Sequence, residues 1–168
     1  MKTSISHVTH WFVAGKLKTL AELRAITAEA RTNGKIVVFT NGCFDLVHRG
    51  HVHLFREAKA LGDLLIVAIN SDKSVKTIKG STRPIFPEID RSELIAAMEM
   101  VDYVLFFEES DPYKAIAALR PQVLVKGGDW TSEKIIGADI VERDGGKVAV
   151  IPYLKGFSTT EIIEKIRS

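Results

Sequence analysis

The sequence predicts an α/β fold, a single domain built on one doubly wound, mainly parallel five-stranded sheet with helices on both faces. Two observations carry that reading. Short, continuously apolar, β-branched runs alternate along the chain with amphipathic stretches, the signature of βα units around a parallel sheet. The chain of 168 residues, 46% of them hydrophobic, is long enough to bury one core and too short for two independent ones.

The predicted strands are KIVVFT (35–40), LLIVAIN (64–70), YVLFF (103–107), VLVKG (123–127) and KVAVIP (147–152). None alternates apolar with polar residues, as expected of strands covered on both faces. Between them, Leu23, Ile26 and Ala30 keep helical spacing after Leu20, giving an N-terminal helix on the outside of the sheet. A second helix is expected from His48 to Leu61 with Gly62 as its stop, and a third from about Glu88 to Met100. A fourth opens at SDP, where Ser110 or Asp111 caps and Pro112 takes the first helical position, and closes before Pro121. The last begins in STTE (158–161), where Ser158 and Glu161 have capping-box spacing. Residues 71–87 lack a periodic pattern and carry Lys73, Lys76, Lys79 and Arg83, so they read as a basic, mobile connection. The division expected is an N-terminal extension and helix, 1–32, followed by the domain proper, 33–168.

Charge and cysteine content exclude several classes of function. The 23 basic and 21 acidic side chains are interspersed, so no stretch resembles a nucleic-acid footprint. The single cysteine, Cys43, cannot form an intrachain disulfide and fits a reducing compartment. The apolar runs are too short to span a bilayer and the N-terminus has no signal-peptide pattern, so the expected location is cytoplasmic.

In a doubly wound sheet, ligands bind beyond the carboxyl ends of the strands, close to where strand order reverses. FTNGCFDLVHRGHVHLF (39–55) begins in the first strand and runs through that position. It carries three of the five histidines, His48, His51 and His53. Gly42 permits an unusual turn and Gly50 a close approach to the helix start. His48 and His51, three apart, share a face of the first helical turn, where free amides and the dipole already favour anions. His53 falls on another face and reads as structural. A zinc site from His48, His51 and Asp45 is disfavoured, because helical zinc pairs space their histidines by four and Arg49 would repel the cation. No metal ligands are assigned.

These residues carry a resemblance. GCFDLVHRGH resembles the G-x-F-D-x-x-H-x-G-H signature of the cytidylyltransferase-like nucleotidyltransferases, and GGDW (127–130) and GFSTTEII (156–163) resemble that superfamily's later signatures in the right order. Together with NSDKSVKTIKGSTRP and LRPQVLVKGGDW, they resemble the D-glycero-β-D-manno-heptose 1-phosphate adenylyltransferases over about residues 33–168. With no sugar-kinase segment in the sequence, the likeness is to the stand-alone form. The resemblance implies a Rossmann-like fold and transfer of AMP from ATP to heptose 1-phosphate for the lipopolysaccharide inner core. It also implies Mg²⁺ accompanying ATP, and a homodimer with the helix near 88–100 as one contact. YLKGFSTT lacks the arginine that glycerol-3-phosphate cytidylyltransferases place before their ISTT, which weakens a CTP-dependent alternative acting on an alcohol phosphate. A nucleotide-binding regulator on the same fold is a rival of another class.

By the resemblance, His48 and His51 donate to the α/β-phosphate region, and Lys79, with Lys76 as the alternative, reaches the triphosphate or the acceptor phosphate. Asn41, Gly42, Cys43, Phe44 and Gly50 wrap the nucleotide, Arg83 contacts it, and Gly128 and Asp129 approach base or ribose. Ser158, Thr159 and Thr160 offer hydroxyls and helix amides to the β/γ-phosphates. Asp45 meets the acceptor's hydroxyls, with a magnesium-bound water as the alternative, and Trp130 offers a flat surface for stacking or for the sugar face of the acceptor. Arg91 reads as a helix-surface ion pair, with a nucleotide contact as the alternative.

Overall fold

The computed structural model describes residues 15–128, 131, 134–154 and 156–168, the Arg167 side chain aside. The elements run α1 (Leu20–Thr32), β1 (Val37–Gly42), α2 (Arg49–Lys59), β2 (Leu64–Asn70), α3 (Asp72–Lys79), α4 (Glu88–Ala96), β3 (Tyr103–Phe107), α5 (Tyr113–Leu119), β4 (Val123–Gly127), α6 (Ala138–Arg143), β5 (Lys147–Ile151) and α7 (Thr159–Arg167).

The five strands form one sheet of order β3-β2-β1-β4-β5, parallel at every pairing. Consecutive side chains of a strand point to opposite faces, and here both faces are buried. In β1, Val37 and Phe39 face a layer made by α1, α5 and α6, including Leu23, Ala30, Ile116, Leu119 and Val141. Val38 faces the other layer, where α2 and α4 contribute Leu54, Phe55, Ala58 and Ile95. The N-terminal helix is thus part of the core, with Leu23, Thr27 and Ala30 buried along one stripe and a complete Thr19–Glu22 capping box at its start. Strand order reverses between β1 and β4, which fixes the ligand-binding edge above these two strands.

Four local expectations are corrected. The 71–87 connection contains α3, which Ser71 caps by accepting from Ser74 N–H and which Val75 anchors in the interior. With Asp72 in its first turn and Lys76 and Lys79 in its last, its charges match the helix dipole. Helix α2 ends at Ala60 rather than at Gly62, and Gly62 serves packing, since a Cβ there would lie 2.8 Å from the Ile36 carbonyl oxygen. Helix α4 stops at Ala96, four residues short of Met100. Before α5, Pro112 itself occupies the cap position while Asp111 Oδ1 accepts from Tyr113 N–H at 3.0 Å.

Candidate active site

A cleft of about 760 Å³, within the roughly 300–1,000 Å³ usual for small-ligand sites, opens over the carboxyl edge of the sheet. Its walls come from the ends of four strands and the turns that leave them: Asn41 to Asp45 after β1, Asn70 at β2, Lys126 and Gly127 at β4, and Ile151 to Leu154 after β5. His48, Gly50 and His51 from the start of α2 and Ser158 to Glu161 from the start of α7 bring two helix N-termini to it.

The two histidines cap α2 with imidazoles instead of hydroxyls. His48 stands at the N-cap in extended backbone and its Nδ1 accepts from Gly50 N–H at 3.1 Å, while His51 Nδ1 accepts from His48 N–H at 3.3 Å. The rings stack with centroids 3.9 Å apart. An imidazole that accepts at Nδ1 carries its proton, when neutral, at Nε2. Each ring therefore presents an Nε2–H donor. Both stay neutral near pH 7: burial lowers the pKa of His48, and burial together with the neighbouring His48 depresses His51 to about 4. Gly50 is required by crowding, since a Cβ there would sit 2.9 Å from His48 Cε1 and 3.4 Å from Phe157 Cβ. His53 lies outside this cluster and pairs at 4.0 Å with Glu57 along the helix.

The turn between β1 and α2 is held by Phe44. Its φ of 46° is left-handed, an uncommon conformation for a bulky side chain, and it folds the ring beneath Gly42. There the ring meets His51 and Phe55 edge-on at 5.3 and 5.1 Å. A Cβ on Gly42 would approach Phe44 Cζ to 3.0 Å. Cys43 faces the cleft as a thiol, its pKa pushed up by burial.

Asp45 lines the cleft, and its carboxylate is engaged by bonds within the chain. It is 1% exposed, its Oδ2 pairs with Arg83 Nε at 2.5 Å, and its Oδ1 accepts from Ile85 and Phe86 N–H at 2.7 and 3.1 Å. The carboxylate takes three bonds from the chain itself and pins residues 83–86 to the β1 turn. Arg91 is an ion pair, as read, but fully buried, bonded at once to Asp72, Phe86 and Cys43.

Lys79, at the C-terminal end of α3, lines the cleft together with Arg83, while Lys76 is not on its wall. Ser158 caps α7 by position with no side-chain bond to the helix, so the expected capping box does not form and the hydroxyl remains in the cleft. Thr159 Oγ1 donates to the Leu46 carbonyl at 3.3 Å, tying α7 to the loop before α2, and Thr160 completes the rim. Gly128 has φ 121° and the Tyr153 ring covers it, where a Cβ would be 2.7 Å from Cζ. Asp129 and Trp130 lie outside the described residues.

Among the cleft residues that sequence reasoning did not single out are Lys126 and Tyr153. Lys126 stands on the wall at the end of β4, its amine pKa lowered first by burial and further by Lys79. The signal was available, a lone cation closing an otherwise apolar strand. Tyr153 left no such trace.

A parallel α/β sheet whose switch point carries two neutral imidazole donors, a second helix N-terminus and several cations is built to handle a nucleotide's phosphates. Residues 39–165 match the cytidylyltransferase-like family, and the chain belongs to it and is a nucleotidyltransferase. It is 50% identical over 153 residues to bifunctional protein HldE of Geotalea uraniireducens, covering 91% of this chain and 31% of that one. With bifunctional protein HldE of Trichlorobacter lovleyi the identity is 52% over 151 residues, covering 90% and 31%. The chain thus spans about a third of the length of these curated relatives. Among solved structures it is similar to the lipopolysaccharide core biosynthesis protein from Thermoplasma volcanium, with TM-score 0.58 and 31% identity over 74% of this chain and 100% of that one. Pantoate-beta-alanine ligase from Francisella tularensis shares the fold, with TM-score 0.60 and 16% identity over 90% and 77% of the two chains.

Proposed function

We propose that this nucleotidyltransferase moves AMP from ATP to D-glycero-β-D-manno-heptose 1-phosphate, giving ADP-D-glycero-β-D-manno-heptose and pyrophosphate for the lipopolysaccharide inner core. The observation that carries the phosphate half of this reading is the stacked His48–His51 pair with both Nε2–H groups free of the helix cap. Support for the sugar half comes from the sequence motifs and from the lipopolysaccharide-core relative of known structure.

In this reaction a phosphate oxygen of the sugar phosphate attacks the α-phosphorus of ATP. A new P–O bond forms as the bond to the bridging oxygen breaks, and pyrophosphate leaves in line. Chemistry of this kind needs positioning and charge neutralisation more than a protein nucleophile. His48 and His51 donate to the α/β-phosphate oxygens as charge builds. Ser158, Thr159 and the free amides of α7 hold the outer phosphates. Lys79, Arg83 and Lys126 supply positive charge around the transferring group. Among the described residues no cluster of His, Cys, Asp and Glu is suited to cage a metal ion, and Asp45 already accepts three bonds from the chain. Magnesium arriving with the triphosphate would supply charge neutralisation for the pyrophosphate leaving group. The same reading makes the protein a homodimer in the cytoplasm, with the exposed Ile85, Phe86, Ile89 and Leu94 around the start of α4 as the contact. No helix among the described residues is long and apolar enough to cross a membrane.

The test is pyrophosphate release with ATP or CTP, each paired with the heptose 1-phosphate or glycerol 3-phosphate. Release confined to ATP with the heptose is the expected result. Release confined to CTP would move the chain to the cytidylyltransferases, and triphosphate binding without release in any pair would make it a regulator.

A further inference from the structure

Arg91 is the largest fully buried side chain among the described residues. A guanidinium out of water is costly unless each of its donors is used, so its partners indicate what it is for. They lie on three separate segments. Nη2 pairs with Asp72 Oδ1 at 2.8 Å, at the first residue of α3, Nε donates to the Phe86 carbonyl at 3.1 Å, and Nη1 donates to the Cys43 carbonyl at 2.5 Å. Asp72 is fixed a second time, its N–H donating to Glu88 Oε2 at 2.7 Å, so the starts of α3 and α4 are locked together.

The Cys43 bond has a geometric consequence. In a trans peptide the C=O and the following N–H point in opposite directions. Arg91 holds the Cys43 carbonyl toward the interior, so the Phe44 N–H is turned the other way. Cys43, Phe44 and Asp45 line the cleft whereas Arg91 does not, and the Phe44 N–H has no acceptor among the described residues. The left-handed φ of Phe44 completes the turn, a conformation that persists only where surroundings over-determine it.

We infer that Arg91 is a positioning residue for the triphosphate: it rotates the Cys43–Phe44 peptide so that the Phe44 N–H faces the bound phosphates, and it couples that donor to the helix carrying Lys79. This deepens the function proposed above and rests on it for the identity of the ligand. A lysine at position 91 keeps the charge but cannot reach three segments at once.

The single cysteine is a built-in reporter of this peptide. The experiment measures ATP affinity by calorimetry, heptose 1-phosphate KM, Tm, and the rate of Cys43 alkylation by a neutral maleimide with and without Mg·ATP, for wild type, R91K and D72N. Expected for R91K is ATP binding weaker by about tenfold or more, loss of the ATP protection of Cys43, and an acceptor KM within about twofold of wild type. Restoring Tm with an excluded osmolyte should leave the ATP defect in place, whereas a merely structural role would be rescued. ATP affinity and labelling within about twofold of wild type in folded R91K would overturn the inference. If R91K does not fold, D72N decides, with ATP binding weaker by about threefold or more supporting it and a smaller change overturning it. Should neither ATP nor CTP bind or protect the wild type, the function proposed above fails separately. The nucleotide-free labelling rate then becomes the readout, where faster alkylation in R91K at equal Tm supports the peptide's dependence on Arg91 and equal rates refute it.

Discussion

His48 and His51 stack at 3.9 Å with their ring planes 21° apart, and each spends its Nδ1 on a backbone amide of its own helix start. The capping bonds lock tautomer and orientation together, so the pair is preorganised as two Nε2–H donors. Replacing either by alanine should lower turnover by about 10² to 10³, the usual effect of losing one donor aimed at developing charge. Steady-state pyrophosphate release checks this, and near-normal turnover in both variants would remove them from the mechanism.

The depressed His51 pKa also links to stability. An unfolded histidine takes up its proton near pH 6.5, whereas the folded one resists until about 4. The unfolded state thus binds more protons between those values. Stability is fully present above the upper one and falls as pH drops toward the lower, by at most about 3.5 kcal/mol from this residue. Urea unfolding of wild type and His51→Gln from pH 7 to 4 should give curves that converge in acid, and parallel curves would contradict the assignment.

Ser158 and Thr159 should act on ATP binding more than on the chemical step. A lost hydroxyl bond to a charged phosphate is worth about 1.5 to 3 kcal/mol, so Ser158→Ala should weaken ATP by roughly 10- to 100-fold with kcat little altered. Thr159→Ala should show the same and also lower Tm, because its hydroxyl holds the Leu46 carbonyl. Unchanged triphosphate affinity in both would take α7 out of the site.

Asp45→Asn separates the structural role seen here from the ligand role its motif position had indicated. Breaking a buried ion pair on one side costs about 3 to 5 kcal/mol. The variant should therefore be strongly destabilised in denaturant titrations, with Ile85 and Phe86 amides exchanging faster. Full stability with a raised acceptor KM would return Asp45 to substrate binding.

Lys126 predicts a proton linkage. Burial lowers its pKa in the free protein, and an arriving polyanion raises it again. ATP binding at alkaline pH, below the ordinary lysine value, should take up protons, seen as a dependence of the calorimetric heat on buffer ionisation enthalpy, and Lys126→Met should abolish that component. Buffer-independent heats in the wild type would rule it out.

What was legible in the sequence was local. The apolar runs gave all five strands, and His48, Gly50 and His51 sit on the cleft at the carboxyl edge of the sheet. What stayed hidden depends on long-range partners. Asp45 and Arg83 are 38 positions apart and Arg91 and Cys43 are 48 apart, so nothing in either segment reports that its charge is used internally. Helix α3 was missed because its eight residues bury only Ser74 and Val75, too little for an apolar stripe. The capping-box pattern at Ser158 misled for the opposite reason, since a hydroxyl with the correct spacing can be left for a ligand rather than for the helix.

Gly50 gives the enzyme an unusually separable fault line. A methyl group there would press on the His48 ring and on Phe157, yet inside α2 alanine is favoured over glycine by about 1 kcal/mol. Gly50→Ala should yield a protein whose scaffold is intact while its imidazole pair is out of register. Such a chain would separate the scaffold's contribution to folding from the imidazole pair's contribution to activity within a single substitution.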